Sequence, residues 1–165
     1  KKNRKMTERK LNNFFVIIIS LLVAVMLTIT TFPLGPFAPD WIQLFLIYWI
    51  IALPLSIGML SSWIIGLLVD VVMGSTLGIY ALAYTLISFI MSNLYKTLRN
   101  VTVIQQSIII SIALIIKFTL ILWINNLLLI DNYTASIYWT VLTSAFIWPL
   151  IFFSLRAVRR KYNLN

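Results

Sequence analysis

The side chains able to carry chemistry are few: four carboxylates, Glu8, Asp40, Asp70 and Asp131, and a lysine, Lys117, that stands apart from every basic cluster. The chain has no histidine and no cysteine. That inventory removes thiol nucleophiles, disulfides, thiolate or imidazole metal sites and the usual proton shuttle. Acid–base catalysis needs a pair of groups poised against each other, and four scattered acids make such a pair hard to assemble. A lipid-handling enzyme is therefore the weakest reading. No catalytic, metal or cofactor-binding residue is expected.

Asp70 is the informative acid. It lies in Trp63-Ile-Ile-Gly-Leu-Leu-Val-Asp-Val-Val-Met-Gly-Ser-Thr-Leu-Gly78, where nearly every neighbour suits hydrocarbon. An aspartate at the centre of a membrane helix costs about 2.5–3.5 kcal/mol, so a partner, a cavity or a task must offset it. Gly58, Ser62, Gly66, Asp70, Gly74 and Gly78 recur every fourth position and form a small-residue ridge suited to close helix packing. Four-residue spacing drifts by about 40° per step, so Gly58 and Gly78 cannot share one face of a continuous helix. The expected helix-packing or partner-docking residues are Ser62, Gly66, Asp70, Gly74 and Gly78. Packing within the chain is the ordinary use of such a ridge, and Gly74-Ser-Thr with Gly78 also reads as a break between two spans.

Lys117, near the middle of a later apolar stretch, is the second charge at membrane depth. Counted at about 1.5 Å per residue from near Ile57 and Thr102, Asp70 and Lys117 both stand roughly 20 Å up their helices. We expect them to pair inside the bundle. The other arrangement has Lys117 snorkelling while Asp70 is protonated or caps the helix that begins near Ser75.

The elements that must position these groups are membrane helices. The 165 residues are 61% hydrophobic and only 10% charged, with a mean hydropathy of +0.99, which describes an integral membrane protein. Apolar stretches fall at about 11–32, 41–55, 57–73, 76–95, 101–130 and 135–155, most of them near the ~20 residues that cross a bilayer. The first is too long for a signal-peptide core and reads as an uncleaved span. One transmembrane domain, 11–155, is expected between a basic cytoplasmic N-terminus, 1–10, and a basic cytoplasmic tail, 156–165.

Basic residues cluster at the front, at Lys96 and Arg99, and at Arg156, Arg159, Arg160 and Lys161. The positive-inside rule puts all three clusters in the cytoplasm and requires an even number of crossings between them. Six spans satisfy this; four spans with a re-entrant 41–73 are the competing topology. The net charge of +9 thus marks membrane flanks, which can also hold anionic lipid headgroups, and not a nucleic-acid-binding surface. Most tryptophans and tyrosines lie toward segment ends as interfacial anchors, while Tyr48 and Trp49 are deep enough to wall a cavity. Pro54 and Pro149 read as kinks.

Pro39-Asp40-Trp41, Ile47-Tyr-Trp-Ile-Ile-Ala-Leu-Pro54, the block from Gly66 to Gly78 with Ala81-Leu82 following, Leu98-Arg-Asn100, Gln105-Gln106 and Trp148-Pro149 stand together in this order. In these residues the chain resembles the bacterial rod shape-determining MreD family, from Pro39 to the tail. The block around Asp70 is the most specific part, and the first span is similar only in hydrophobicity and position. The resemblance implies a non-enzymatic inner-membrane subunit of the cell-elongation machinery. It also implies work with the bitopic protein MreC, the actin-like MreB filament, and RodA with its partner transpeptidase. The implied fold is an all-α bundle of six transmembrane helices, similar to the substrate-binding subunits of energy-coupling-factor transporters.

A non-catalytic assembly subunit that docks the membrane helix of MreC is the leading functional expectation. A small-molecule-binding or transport subunit is the alternative, with Asp70, Lys117, Asn125 and Asn126 as cavity groups.

Overall fold

A computed structural model describes residues 2–54, 58–129 and 135–162, with side chains from Phe14 onward except at 32, 33, 36 and 135. Among these residues the chain is all helical: α1 (Lys2–Thr31), α2 (Trp41–Ala52), α3 (Met59–Met73), α4 (Ile79–Asn100), α5 (Val103–Leu127) and α6 (Trp139–Lys161). Short 3-10 turns, Phe32–Phe37 and Ala135–Tyr138, precede α2 and α6. The side chain of Glu8, those of the front basic cluster, and the loop bearing Asp131 lie outside the described residues.

Sequence explains the centre of the bundle. Trp41–Ala52 carries apolar side chains on all sides except at Gln43, and a helix apolar all round is stable only when surrounded. Every residue of α2 from Ile42 to Ala52 is buried. Around it pack α1, α4 and α6; α5 bridges α4 and α6, and α3 lies outside against α4. Tyr48 and Trp49 belong to this core and do not line the large cavity described below. The Trp49 indole donates to Ser20 Oγ at 2.7 Å, which ties α2 to α1.

The helices run alternately between two ends. At one end Asp40, just before α2, lies beside Tyr84 near the start of α4 and Ser144 near the start of α6. At the other, Arg99 near the end of α4 meets Ile51 and Ala52 at the end of α2. The basic residues that close α4 and α6 are therefore at the end opposite Asp40.

Three helical stretches are long and apolar enough to cross a membrane: Phe14–Thr31 in α1, Val103–Leu127 in α5, and Ser136–Lys161, which joins the second 3-10 turn to α6. At 1.5 Å per residue α2 spans only about 18 Å and α3 about 22 Å, less than the ~30 Å hydrocarbon core. Local signals set these lengths. After α2 comes Leu53-Pro54, and proline cannot extend the helix; α3 ends at Gly74, whose φ of +62° is the left-handed conformation that glycine adopts without steric cost. Helix α5 opens with a reciprocal capping box between Thr102 and Gln105.

Candidate functional site

Asp70 lies in the last turn of α3 and is fully buried. Its carboxylate accepts hydrogen bonds from Ser75 Oγ at 2.7 Å and from the backbone N–H groups of Gly78 at 2.9 Å, Tyr80 at 2.9 Å and Ala81 at 3.2 Å. Tyr80 and Ala81 belong to the first turn of α4, whose N-cap, Gly78, has no side chain to satisfy their orphan donors. An acid from the preceding helix does that work. The positive end of the α4 dipole adds to the stabilisation, so the buried carboxyl group is held by amides and a hydroxyl, with no cation beside it among the described residues.

The small-residue ridge brings it there. A methyl group placed on Gly66 would lie 2.4 Å from Ala81 Cα, 2.8 Å from Ala81 N and 2.9 Å from Tyr80 O, distances that side chains do not tolerate. Glycine at 66 therefore lets the α3 backbone touch the first turn of α4. One turn earlier, Ser88 Oγ on α4 donates to Ser62 Oγ at 2.6 Å. Ser62, Gly66 and Asp70 thus face α4 as one contact line inside the chain. Gly74 and Gly78 leave that line: both have positive φ, +62° and +105°, and form the turn between the two helices.

Lys117 does not pair with Asp70. Its ammonium, 1% exposed, forms an ion pair with Asp40, whose carboxylate also accepts from Tyr84 Oη at 3.1 Å and from the Gln43 backbone N–H at 3.3 Å. The Asp40 N–H in turn donates to Ser144 Oγ at 3.0 Å. Three rings surround the cation, with centroids 4.1 Å away for Tyr84, 5.1 Å for Phe118 and 5.7 Å for Tyr80. A carboxylate plus aromatic faces is what a buried ammonium requires, since neither attraction alone offsets its lost hydration. Counting depth along two helices misassigned the pair for a definite reason: α3 stops at Met73, so Asp70 is spent on the α4 amides at that level. Asp40, directly before the apolar stretch at 41–55, is the N-cap of α2 and reaches inward.

The sequence did carry a signal for Asp40. An aspartate directly before an unbroken apolar run is a helix N-cap signature, and Pro39-Asp40-Trp41 fits it. Nothing in the sequence marked Tyr84 or Ser144.

Arg99, expected as a basic anchor, also has an inward role. Its Nε donates to Ile51 O at 2.8 Å and Nη2 to Ala52 O at 2.7 Å, which satisfies the final carbonyls of α2 and places a positive charge at the negative end of that helix. Nearby, Gln106 donates to Leu98 O at 2.7 Å and accepts from the Trp148 indole at 3.3 Å, linking α4, α5 and α6. Lys96, Arg156, Arg160 and Lys161 are exposed. Asn125 is buried and donates to Ile121 O, whereas Asn126 is exposed.

Between the Asp40 cluster and the α3–α4 turn is a cavity of about 710 Å³, lined by the end of α1, the starts of α2, α4 and α6, and the far end of α5. Asp40, Tyr80 and Tyr84 form its charged and aromatic wall, and Gly74 to Thr76 line it from the α3–α4 turn. Lys117 is not among the lining residues, so the ion pair presents only its acid side to the cavity. No group of three or more acid, histidine or cysteine side chains that could hold a metal ion occurs among the described residues.

A family model described as rod shape-determining protein MreD matches residues 8–158. Among curated proteins, the chain is 31% identical over 166 residues to the rod shape-determining protein MreD of Haemophilus influenzae (strain ATCC 51907 / DSM 11121 / KW20 / Rd). That alignment covers 97% of this chain and all of the relative. No solved structure matches it.

Proposed function

The chain belongs to the rod shape-determining MreD family, and from that membership we propose that it is a non-catalytic inner-membrane subunit of the cell-elongation complex that docks the membrane helix of MreC. Through that contact it helps organise lateral peptidoglycan synthesis, with RodA, its partner transpeptidase and MreB as further members of the assembly. Both termini are cytoplasmic in this reading. Three basic clusters separated by even numbers of helices support that orientation, because Lys and Arg are retained on the cytoplasmic side.

The observation that carries the docking proposal is the position of α3. Its Ser62–Gly66–Asp70 line is consumed by α4, and the opposite side presents Leu60, Trp63, Ile64, Leu68, Val71 and Val72, all exposed. A helix clamped so tightly on one side and unpartnered on the other is a rigid surface on which a foreign apolar helix can pack. The ridge supports the surface rather than forming it. A non-catalytic role is supported by the use made of the two described acids: Asp70 holds the start of α4, and Asp40 holds the start of α2 and Lys117.

Photocrosslinking in the native membrane tests the reading. A photoreactive side chain at Leu68 or Val71 should capture MreC, while one at Leu150 on α6 should not. Capture from Leu150 alone would move the docking surface away from α3.

A further inference from the structure

We propose that the cavity between the α2 and α4 N-termini is a binding site for a neutral carbohydrate, entered from the outer side of the membrane; the side of entry, though not the site, rests on the orientation proposed above. Volume is the first argument. About 710 Å³ falls within the 300–1,000 Å³ of pockets that take small ligands.

Lining chemistry is the second. Ten of the nineteen described lining residues carry a hydroxyl, amide or carboxyl group, and the acceptor lone pairs among them would go unmatched against an acyl chain. No Lys or Arg is among the described residues that line the cavity, which disfavours an anion. Its acid, Asp40, is already neutralised by Lys117, which disfavours a cation.

What remains is a ligand that is uncharged and rich in donors. Thr28 donates its hydroxyl hydrogen to Ala24 O at 2.8 Å and Ser75 donates to Asp70 at 2.7 Å, leaving oxygen lone pairs for an incoming donor. Asp40, with 11% of its side chain exposed, adds carboxylate oxygens. Ile42, Val69, Met73 and Ile137 supply apolar wall. Sugars combine hydroxyl donors on their edges with C–H faces that pack on apolar and aromatic surfaces, and this pairing of features matches the lining.

The detergent-purified chain, titrated with N,N′-diacetylchitobiose and followed by calorimetry, should show saturable binding. Thr76→Trp, which adds bulk at an exposed lining position, and Thr28→Leu, which removes a lining oxygen, should each weaken binding at least tenfold. Leu150→Trp on the outer surface of α6 should leave it unchanged. Thermal unfolding of each variant separates lost binding from lost folding, and the two lining variants lie on different elements so that one suffices. No saturable binding up to about 10 mM, equal affinity in the lining variants, or tighter binding of glucosamine than of N-acetylglucosamine would overturn the site or its neutral class. Orientation is read separately. The chain is free of cysteine, so Thr76→Cys should be labelled in intact cells by a membrane-impermeant thiol reagent while Tyr162→Cys is not; the reverse pattern overturns the side of entry and leaves the binding result standing.

Discussion

Gly66 on α3 and Ala81 on α4 are in backbone contact, so close that a single methyl group at 66 would sit 2.4 Å from Ala81 Cα. Backbone cannot move aside as a flexible side chain can. Gly66→Ala should therefore separate α3 from the first turn of α4 and loosen the Asp70 hydrogen bonds beside it. Overpacking of this kind costs about 1–3 kcal/mol, and Gly66→Leu should cost more. Thermal unfolding of the purified protein would register the loss. An unchanged midpoint for Gly66→Leu would contradict the contact.

Asp70→Leu and Asp70→Asn should differ. Leucine leaves the amides of Gly78, Tyr80 and Ala81 buried without acceptors, at about 1–3 kcal/mol for each unsatisfied group. Asparagine keeps one oxygen and its local bonds, and should retain a measurable part of the stability. In cells, the expected order of rod-shape complementation is wild type, Asp70→Asn, Asp70→Leu. Equal complementation by Asp70→Leu would remove the acid's structural role.

A double-mutant cycle separates the two acids. Lys117→Met leaves Asp40, a partly buried acid, without its cation, and Asp40→Asn with Lys117→Met should be less damaging than the two single changes summed. The combination of Asp70→Asn with Lys117→Met should be additive, since those residues do not pair. Coupling in the second cycle and additivity in the first would reverse the assignment. Simple charge exchange at 40 and 117 is expected to rescue little, because a lysine at 40 cannot accept the Gln43 N–H at the α2 N-cap.

Helix content was legible in the sequence because hydropathy and breakers act locally. The apolar stretch at 41–55 became α2, cut short before Pro54, and that at 57–73 became α3, which ends before Gly74 as expected; the four-residue spacing of Ser62, Gly66 and Asp70 marks a shared packing face. Capping of the next helix by Asp70 was one of two arrangements the sequence allowed, but the partner of Lys117 was not legible. Pairing depends on which helices are neighbours, and depth along a helix says nothing about that; Asp70 and Lys117 were matched by height, while the fold set Asp40 beside Lys117. Arg99 was missed for the same reason. A basic residue at a span end looks identical whether it reaches headgroups or the end of a neighbouring helix.

Gln43 offers a test of opposite sign. Its side-chain amide is fully buried on α2, and neither the oxygen nor the nitrogen has a hydrogen-bond partner among the described residues. Gln43→Leu keeps nearly the same volume and removes the desolvation penalty, so it should raise the unfolding midpoint, by an amount corresponding to about 1–3 kcal/mol. A fall in stability would mean that water or a bound group satisfies the amide.

Arg99 tests the closing of α2 at its other end. Two charge-assisted bonds to Ile51 O and Ala52 O tie the end of α4 to the central helix, and hydrogen bonds to charged groups contribute about 1.5–3 kcal/mol. Arg99→Lys keeps the charge and so any anchoring by lipid headgroups, but a lysine ammonium lacks the fork that reaches two successive carbonyls. If α2 depends on the fork, Arg99→Lys should lower the unfolding midpoint nearly as much as Arg99→Leu while membrane insertion stays normal. If Arg99 served only as a cytoplasmic anchor, lysine would replace it without loss. Lys96→Leu provides the comparison: a cation one turn away, exposed as Arg99 is but with no carbonyl to hold among the described residues, it should leave stability within about 0.5 kcal/mol of wild type.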